Sequence, residues 1–457
     1  MQRPVVDHCR FRAGEEQDNR SHHLHSISGQ DGQRPRLTTA TDRWGKIGSM
    51  GALSDAVLPL IRSRADLHRW SAADAHGRQM HEALDILEDA LPTTDPLEAY
   101  TVAHKALASA IKVIARADDS SGIIGNACQR LLSLHPKLAA AAHVPVGQLI
   151  TWMMAFQFEG EVDFFELDPK AYAAALGDRG LSGYRSRLDQ VQQGLAPEPD
   201  SDAWQDPDRH KRWVLDWNAR RLAVLDRDVE AIIRTHARDR KVAAWFDDAA
   251  KALEEIGETE LAIEWARRAT DFDHGHQAQR AAESWCALVE EYHPDELVDA
   301  RSYLFYRWPT ALNASRLHAA AGSAWLEHEA DVTRILRGNP IDAVTFALST
   351  LKDTHQAWKL AHDLNLTSEH TWKELVTAYE PIDSVAVLAI HRQLVESTLR
   401  NPGAEHYRDA AKRLARMRLL AAGSDRARDI DNFIAHLRDT YRRRPRLQQE
   451  FDRAKLP

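Results

Sequence analysis

The densest group of potential ligands in this 457-residue sequence is a run of carboxylates at Glu159, Glu161, Asp163, Glu166 and Asp168. Carboxylates at alternating positions could hold a hard cation such as calcium or magnesium. The run is not an EF-hand loop, because it lacks the glycine at the sixth position and the spaced ligands. Asp168 precedes Pro169, which is typical of a residue that caps a helix N-terminus. We therefore favour a capped helix start over a metal site.

Two further carboxylates, Asp118 and Asp119, stand directly before Ser120-Ser121-Gly122. Paired with the acidic run they could act as a general acid and a general base. One alternative function is therefore a metal-dependent enzyme that uses an acidic site made of Asp118, Asp119, Glu159, Glu161 and Asp163. The simpler interpretation is that the pair ends one helix and caps the next. We prefer it and assign no catalytic residue.

Cysteine and histidine form no recognisable metal-binding motif. Cys9, Cys128 and Cys286 are far apart and make no C-x-x-C pair, which favours a reducing compartment over a disulfide framework. Near the N-terminus, Cys9 lies among four histidines, His8, His22, His23 and His25. Tracts of this kind bind metal adventitiously. The sequence predicts neither a metal site nor a cofactor.

Three of the thirteen tryptophans, Trp204, Trp213 and Trp217, lie near the basic pair Lys211 and Arg212. Exposed aromatics beside positive charge could stack nucleobases. Flanking aspartates would repel phosphates, however. Trp213 and Trp217 are four residues apart and therefore share one face of a helix, so we expect them to be buried in the core.

The one sharply basic patch lies near the C-terminus and consists of Arg438, Arg442, Arg443, Arg444 and Arg446. Such a patch could contact nucleic-acid phosphates, and each contact would add to the salt dependence of binding. The competing interpretation is a solvated terminal helix whose arginines favour its C-terminal dipole end before Pro445. We prefer the second, because the patch includes only one aromatic residue, Tyr441.

Composition narrows the class of protein further. The net charge of −9 gives no global attraction to nucleic acid or to anionic membranes. The longest apolar stretch, 149–158, is about half of the ~20 residues that a membrane span needs. No signal peptide opens the chain, and no P-loop, dinucleotide-binding, nucleophile-elbow or H-E-x-x-H motif occurs. The sequence predicts a cytoplasmic protein that does not contact membranes.

After Met50 the residue pattern is helical almost throughout. Helices should start where a capping residue precedes proline, as at Asp95-Pro96 and Asn339-Pro340, and should stop at Gly257 and Gly423. From about residue 240 the helices come in pairs in which small alanines face bulky aromatics, a texture of TPR units. The spacing of these pairs is uneven. We therefore predict an all-α fold, a degenerate TPR-like α-solenoid with an N-terminal helical domain.

Domain boundaries follow from changes in composition. Residues 1–49 are rich in Arg, Gln, Ser and His without apolar periodicity, and are predicted to be disordered or a mis-annotated extension before Met50. The Pro- and Gly-containing stretch 194–201 is the best linker candidate. We expect an N-terminal helical domain over 50–200 and the TPR-like repeat domain over 201–457.

Three groups of motifs carry a family resemblance. They are Asp118-Asp119-Ser120-Ser121-Gly122 with Ile124-Gly125 and Leu131-Leu132-Ser133-Leu134-His135; Phe156-Gln157-Phe158-Glu159-Gly160 with Phe164-Phe165-Glu166-Leu167-Asp168-Pro169, Tyr172, Leu176-Gly177-Asp178-Arg179-Gly180-Leu181 and Tyr184; and Tyr441-Arg442-Arg443-Arg444-Pro445-Arg446-Leu447 with Phe451 and Lys455-Leu456. Over roughly residues 55–457 the chain resembles the helical region downstream of the zinc finger in bacterial SWIM zinc-finger proteins, and related stand-alone helical proteins.

The zinc finger itself has no counterpart in this chain. A SWIM finger resembles C-x-C followed by C-x-H, four ligands that close a tetrahedral site. Here no two cysteines are close and no C-x-H exists. The resemblance therefore carries over the helical region alone. The function expected is a non-enzymatic scaffold or protein-binding module with a protein or peptide partner, the alternatives being a nucleic-acid-associated protein and the metal-dependent enzyme.

Overall fold

The computed structural model describes residues 51–160, 165–197 and 206–457. Within these ranges the chain is helical and contains no strand, which confirms the predicted all-α class. Four sets of predictions fall wholly or partly outside the described residues: the N-terminal extension with Cys9 and its histidines, Glu161 and Asp163 of the acidic run, residues 198–201 of the candidate linker, and Trp204. None of the described helices combines the length and the apolar character that crossing a membrane requires.

Contacts between residues divide the chain into two units, the first ending at Asp239 and the second running from Arg240 to Pro457. The sequence analysis placed the boundary near residue 200, at the candidate linker. The helix that follows this stretch is Arg209–Asp226, and it packs against two earlier helices of unit 1. This packing is the physical reason why the division by contacts falls later in the chain.

Unit 1 is built from eight described helices. They are α1 (Ala52–Ile61), α2 (Trp70–Ala90), α3 (Pro96–Ile114), α4 (Ile123–Ala141), α5 (Val146–Phe158), α6 (Ala173–Gln193), α7 (Arg209–Asp226) and α8 (Val229–His236). Helices α1 to α4 pack together, α6 packs against α4 and α5, and α7 packs against α5 and α6. One hydrophobic core extends through the unit from Leu53 to Leu222. This packing brings α5 and α7 side by side.

Unit 2 continues with α9 (Ala243–Glu255), α10 (Thr259–Asp271), α11 (His276–Tyr292), α12 (Leu297–Arg307), α13 (Ala311–Ala321), α14 (Trp325–Leu336), α15 (Pro340–Ser349), α16 (Thr354–Asp363), α17 (Glu369–Tyr379), α18 (Leu388–Arg400), α19 (Ala404–Ala421), α20 (Ala427–Thr440) and α21 (Pro445–Arg453). Short 3-10 turns precede α12 and α14. Each helix packs mainly against helices one or two places away in the chain.

The predicted starts and stops of helices are mostly confirmed. Asp95 accepts hydrogen bonds from the backbone N–H groups of the first turn of α3, and Asn339 caps α15 in the same way. Gly257 and Gly423 end helices with φ of 81° and 80°, a left-handed conformation that glycine adopts without strain. The prediction for Asp168 is wrong in one respect, because α6 begins only at Ala173. Asp168 instead caps the turn before α6, accepting from the N–H of Lys170.

The described cysteines, Cys128 in α4 and Cys286 in α11, are free thiols without any exposed surface. Burial raises the pKa of Cys128 to about 12 and that of Cys286 to about 11. A buried, protonated thiol behaves as a small apolar side chain. Both cysteines therefore belong to the cores of their units.

Candidate functional site

Asp119 is a helix cap. Its two carboxylate oxygens accept hydrogen bonds from the backbone N–H groups of Ile124 (2.9 Å) and Gly125 (2.8 Å), at the N-terminus of α4. Burial raises the pKa of the Asp119 carboxyl, whereas the two backbone hydrogen bonds lower it. Asp118 closes a turn by accepting from Ser120. Both carboxylates are thus engaged locally, as the simpler interpretation expected.

The other described member of the predicted acidic site is Glu159, which follows the last residue of α5 and is exposed. No hydrogen bond or ion pair joins it to Asp118 or Asp119 within the described ranges. Nor do any three His, Cys, Asp or Glu side chains converge there as a ligand set. The structure therefore does not bring together those members of the acidic site that it describes.

The five arginines of the C-terminal patch have different surroundings. Arg438 donates to the backbone oxygens of Leu456 and Pro457, to Gln448 Oε1 and to Asp452 Oδ1. Its guanidinium also lies 5.5 Å from the centre of the Phe451 ring. Arg438 thus fastens the C-terminal residues to α20, a structural role that composition did not indicate.

Arg444 is also turned towards the protein, donating to the Leu399 carbonyl (2.8 Å) with its guanidinium 4.4 Å from the Tyr441 ring centre. Arg446 pairs with Glu450 at 3.5 Å. Arg442 is 72% exposed, with Asp439 at 3.9 Å, and Arg443 is exposed as well. Arg442 and Arg443 are therefore the members least engaged by the fold.

A chain of buried polar and aromatic side chains runs through unit 1 between α3, α4, α5 and the residue before α6. We call it the histidine cluster, made of Tyr100, His104, His135, Trp152 and Tyr172. His104 Nδ1 lies 3.0 Å from His135 Nε2, and His135 Nδ1 lies 2.9 Å from Tyr172 Oη. Trp152 stacks on His135 with 4.3 Å between ring centres. Of the two ring nitrogens that face each other, one must donate and the other accept, so at least one of the two rings is neutral.

Burial sets the electrostatics of the histidine cluster. Desolvation, with a smaller contribution from the charge of Lys105, lowers the pKa of His104 from 6.5 to about 4. Desolvation and the neighbouring His104 hold the pKa of His135 well below its usual value. The pKa of Tyr172 is raised by burial. At neutral pH the histidines and tyrosines of the cluster are uncharged, and hydrogen bonds join them to one another.

A second buried network, the Gln157 triad, joins Gln157, Tyr184 and Asn218. Gln157 Nε2 donates to Tyr184 Oη (2.8 Å), Tyr184 donates to Asn218 Oδ1 (2.7 Å), and Asn218 Nδ2 donates to Gln157 Oε1 (2.9 Å). Because the three bonds close a ring, the polar groups of α5, α6 and α7 are satisfied inside the core. The triad fixes the spacing of α5 and α7.

An open hollow adjoins this triad at Gln157, which is one of its lining residues. We call it the Glu166 hollow. It is a shallow depression between α5, residues 165–166 and α7, and its space of about 250 Å³ includes open solvent. Its lining residues are mostly aromatic and comprise Phe156, Gln157, Phe165, Glu166, His210, Trp213, Val214 and Trp217. His210 donates from Nε2 to the Gln157 carbonyl (2.8 Å), and Trp217 donates from Nε1 to the Leu167 carbonyl (2.8 Å). Two of its walls are therefore held in place by hydrogen bonds.

Glu166 is the acidic group of this hollow. Its side chain reaches solvent, yet the surrounding walls desolvate it enough to raise the pKa of its carboxyl, while the positive charge of Arg220 lowers it. Arg220 Nη2 lies 3.1 Å from Asp216, and Arg221 pairs with Asp168 at 2.8 Å. Among the described residues, Glu166 itself has neither an ion pair nor a hydrogen bond. The hollow thus combines aromatic surface with an unpaired carboxylate.

Sequence reasoning identified part of this hollow but not its form. It placed Trp213 and Trp217 in the core, whereas both are half-buried and line the hollow. It assigned Glu166 to an acidic run rather than to an aromatic surface. His210, Trp213 and Trp217 recur at three and four residues along α7, a spacing that predicts a shared helix face. That spacing was the available signal, but nothing local indicated which elements would face it.

The fold and these sites define an all-helical protein whose polar networks are internal. The chain belongs to a family described as a family of unknown function (DUF6880), whose model matches residues 58–449. No curated protein matches the sequence.

Proposed function

We propose that this protein is a non-enzymatic helical-repeat scaffold that binds a protein or peptide partner. The order of packing in unit 2 carries the proposal. From α9 to α21 each helix packs mainly on helices one or two places along the chain, so contacts follow chain order. This order is characteristic of a solenoid, in which each repeat covers the apolar face of its neighbour and leaves an extended surface for a partner.

The texture of the helix pairs supports a TPR-like arrangement. In the first pair, α9 and α10, Ala249 and Ala262 are completely buried, and Trp265 is buried beside them. Small residues at such a contact let two helix backbones approach closely, while the aromatic fills the adjoining space. The same pairing recurs where α15 packs on α16 and where α18 packs on α19.

The non-enzymatic part of the proposal draws on unit 1. Its most strongly perturbed groups, in the histidine cluster and in the Gln157 triad, are buried and hydrogen-bonded to one another. A group that works as a general acid or base must reach the proton that it transfers. The closed geometry of both networks instead favours a structural role. A relationship to the helical region of SWIM zinc-finger proteins forms part of the same proposal.

The experiment is affinity purification of the tagged full-length chain from its native host, with and without nuclease, followed by mass spectrometry. A specific, stoichiometric protein partner that survives nuclease is the expected result. A matched variant, Arg442→Glu with Arg443→Glu, reverses the two arginines least engaged by the fold and should leave this partner bound. Finding no such partner would contradict the scaffold function. Material that is lost with nuclease and with the variant would instead favour the nucleic-acid alternative.

A further inference from the structure

The Glu166 hollow is a shallow depression of the surface. Its space of about 250 Å³ includes open solvent, so little of it is enclosed by the protein. Pockets for small molecules and cofactors typically enclose about 300–1,000 Å³ and bury most of the ligand. The hollow is therefore a contact surface for the charged end of one side chain, not a pocket for a whole metabolite.

The walls of the hollow favour a positive charge. Four aromatic rings line it, from Phe156, Phe165, Trp213 and Trp217. The electron-rich face of an aromatic ring attracts an ammonium or a guanidinium, most strongly at tryptophan. Arg220 is not a lining residue, but its guanidinium lies 5.6 Å from the centre of the Trp217 ring, so one indole of the hollow already contacts a cation of the protein itself.

Glu166 adds a negative charge that forms no ion pair within the described ranges, although the positive charge of Arg220 is near enough to lower its pKa. The neighbouring arginines have carboxylates of their own, since Arg220 lies next to Asp216 and Arg221 pairs with Asp168. A carboxylate held against aromatic walls has lost part of its hydration, and a cation that enters the hollow would form an ion pair with it. Aromatic rings and one carboxylate are together complementary to an alkyl chain that ends in a positive charge.

The hollow is also pre-organised. Trp217 is held by the Leu167 carbonyl and His210 by the Gln157 carbonyl, while the Gln157 triad fixes α5 against α7 behind them. A site whose walls are already ordered loses little conformational entropy when a ligand enters. Small as it is, the hollow can therefore contribute to affinity.

A nucleobase could also stack on these aromatic rings. Its phosphates, however, would approach the carboxylate of Glu166 on a chain of net charge −9. An arginine or lysine side chain meets the same aromatic surface with the complementary charge. The charge of the hollow therefore favours a protein over a nucleic acid.

We infer that the Glu166 hollow binds the cationic side chain of an arginine or lysine on the protein partner. The inference rests on the proposed scaffold function and names the chemistry by which unit 1 recognises that partner. It predicts that the partner presents a basic residue in an accessible segment.

The test uses the full-length chain labelled with 5-fluorotryptophan, with the fluorine signals of Trp213 and Trp217 assigned through single Trp→Phe variants. The probes are N-acetyl-arginine amide and N-acetyl-lysine amide, with N-acetyl-citrulline amide as a neutral analogue of the first. Both cationic probes should shift the two signals saturably, whereas the citrulline probe should not. Glu166→Gln should weaken cation binding by about two- to fivefold, the scale of one exposed cation–aromatic or charge contact.

Glu166 accepts no hydrogen bond within the described chain, so Glu166→Gln keeps the shape of the side chain without disturbing the fold. Glu230→Gln is the matched control, because Glu230 is an exposed glutamate on α8, outside the hollow. It should bind like the wild type. Equal binding of the citrulline probe, or unchanged affinity in Glu166→Gln, would overturn the inference.

Repeating the affinity purification with Glu166→Gln separates this inference from the scaffold function. Selective probe binding together with weaker recovery of the partner supports both. A partner recovered in full by a variant that has lost the probe overturns the hollow as its docking point and leaves the scaffold function intact. Selective probe binding without any nuclease-resistant partner contradicts the scaffold function and with it the proposed biological ligand of the hollow.

Discussion

Acid should destabilise unit 1 through the histidine cluster. The pKa of His104 is about 4 in the folded chain against 6.5 for an ordinary histidine. As the pH falls, His104 therefore binds a proton in the unfolded chain before it does so in the folded chain. Its contribution to the free energy of unfolding is complete above about pH 6.5 and is lost progressively down to about pH 4. At about 1.4 kcal/mol for each pH unit between the two pKa values, His104 alone accounts for about 3 kcal/mol. That is a large share of the 5–15 kcal/mol typical of a folded protein.

The variant His104→Gln isolates this contribution. A glutamine amide can still donate to His135 but does not titrate. Between about pH 7 and pH 4, the free energy of unfolding should therefore fall by about 3 kcal/mol less in the variant than in the wild type. His236, whose pKa burial also lowers, remains in both proteins and cancels in the difference. Replacing His104 also removes its charge from beside His135, which raises the pKa of His135 and changes the stability in acid in the same direction. The measurement is the urea dependence of hydrogen exchange, followed by mass spectrometry in peptides of α3 and α4.

His68 supplies the control for this experiment, because it is exposed and hydrogen-bonded only through its backbone. His68→Gln should keep the wild-type dependence on pH. If His104→Gln loses as much stability in acid as the wild type does, burial of this histidine is not the cause and the reasoning fails.

Three further substitutions test other contacts, each through the free energy of unfolding from urea titration at neutral pH. Asp119→Ala removes the cap of α4 and should cost about 1–2 kcal/mol, whereas Asp119→Asn should recover part of it; equal losses would contradict the capping role. Tyr184→Phe removes one hydrogen bond from each amide of the Gln157 triad and leaves the buried Asn218 Oδ1 without the hydroxyl that donates to it, so it should cost about 1–3 kcal/mol; a neutral result would mean that the ring of bonds contributes little. Arg438→Ala should cost about 2 kcal/mol, whereas Arg443→Ala should cost close to nothing. Of these two arginines, only Arg438 donates to the C-terminal backbone oxygens. Similar costs for both substitutions would refute that assignment.

Features with a local cause could be predicted from the sequence. A capping side chain followed by proline marked the starts of α3 and α15, and glycine at positive φ marked two stops, because these conformations depend on neighbouring residues only. Alternating alanines and aromatics likewise indicated helices that pack closely. The prediction at Asp168 was wrong because a turn, capped by this carboxylate, comes between it and the start of α6; its other oxygen pairs with Arg221, from a helix much later in the chain.

Features that depend on distant residues could not be predicted in this way. His104 and His135 are 31 residues apart, and Gln157 and Asn218 are 61 apart. Neither pair follows a local rule, since only the packing of whole helices brings them into contact. The Glu166 hollow has the same origin, because its walls come from α5, α7 and the segment before α6. Charge alone was equally uninformative for Arg438, because two of its four hydrogen-bond partners are backbone oxygens at the C-terminus.

The two buried thiols are natural probes of local opening, one in each unit. Cys128 lies in the core of unit 1 and Cys286 in unit 2, and both are protonated and shielded at neutral pH. A thiol-specific alkylating reagent reaches either sulfur only when the surrounding helices separate. The rate at which each cysteine is alkylated therefore reports how often its own unit opens. Peptide mapping after pulses of reagent would show whether the halves of the chain open together or one at a time, without any engineered label.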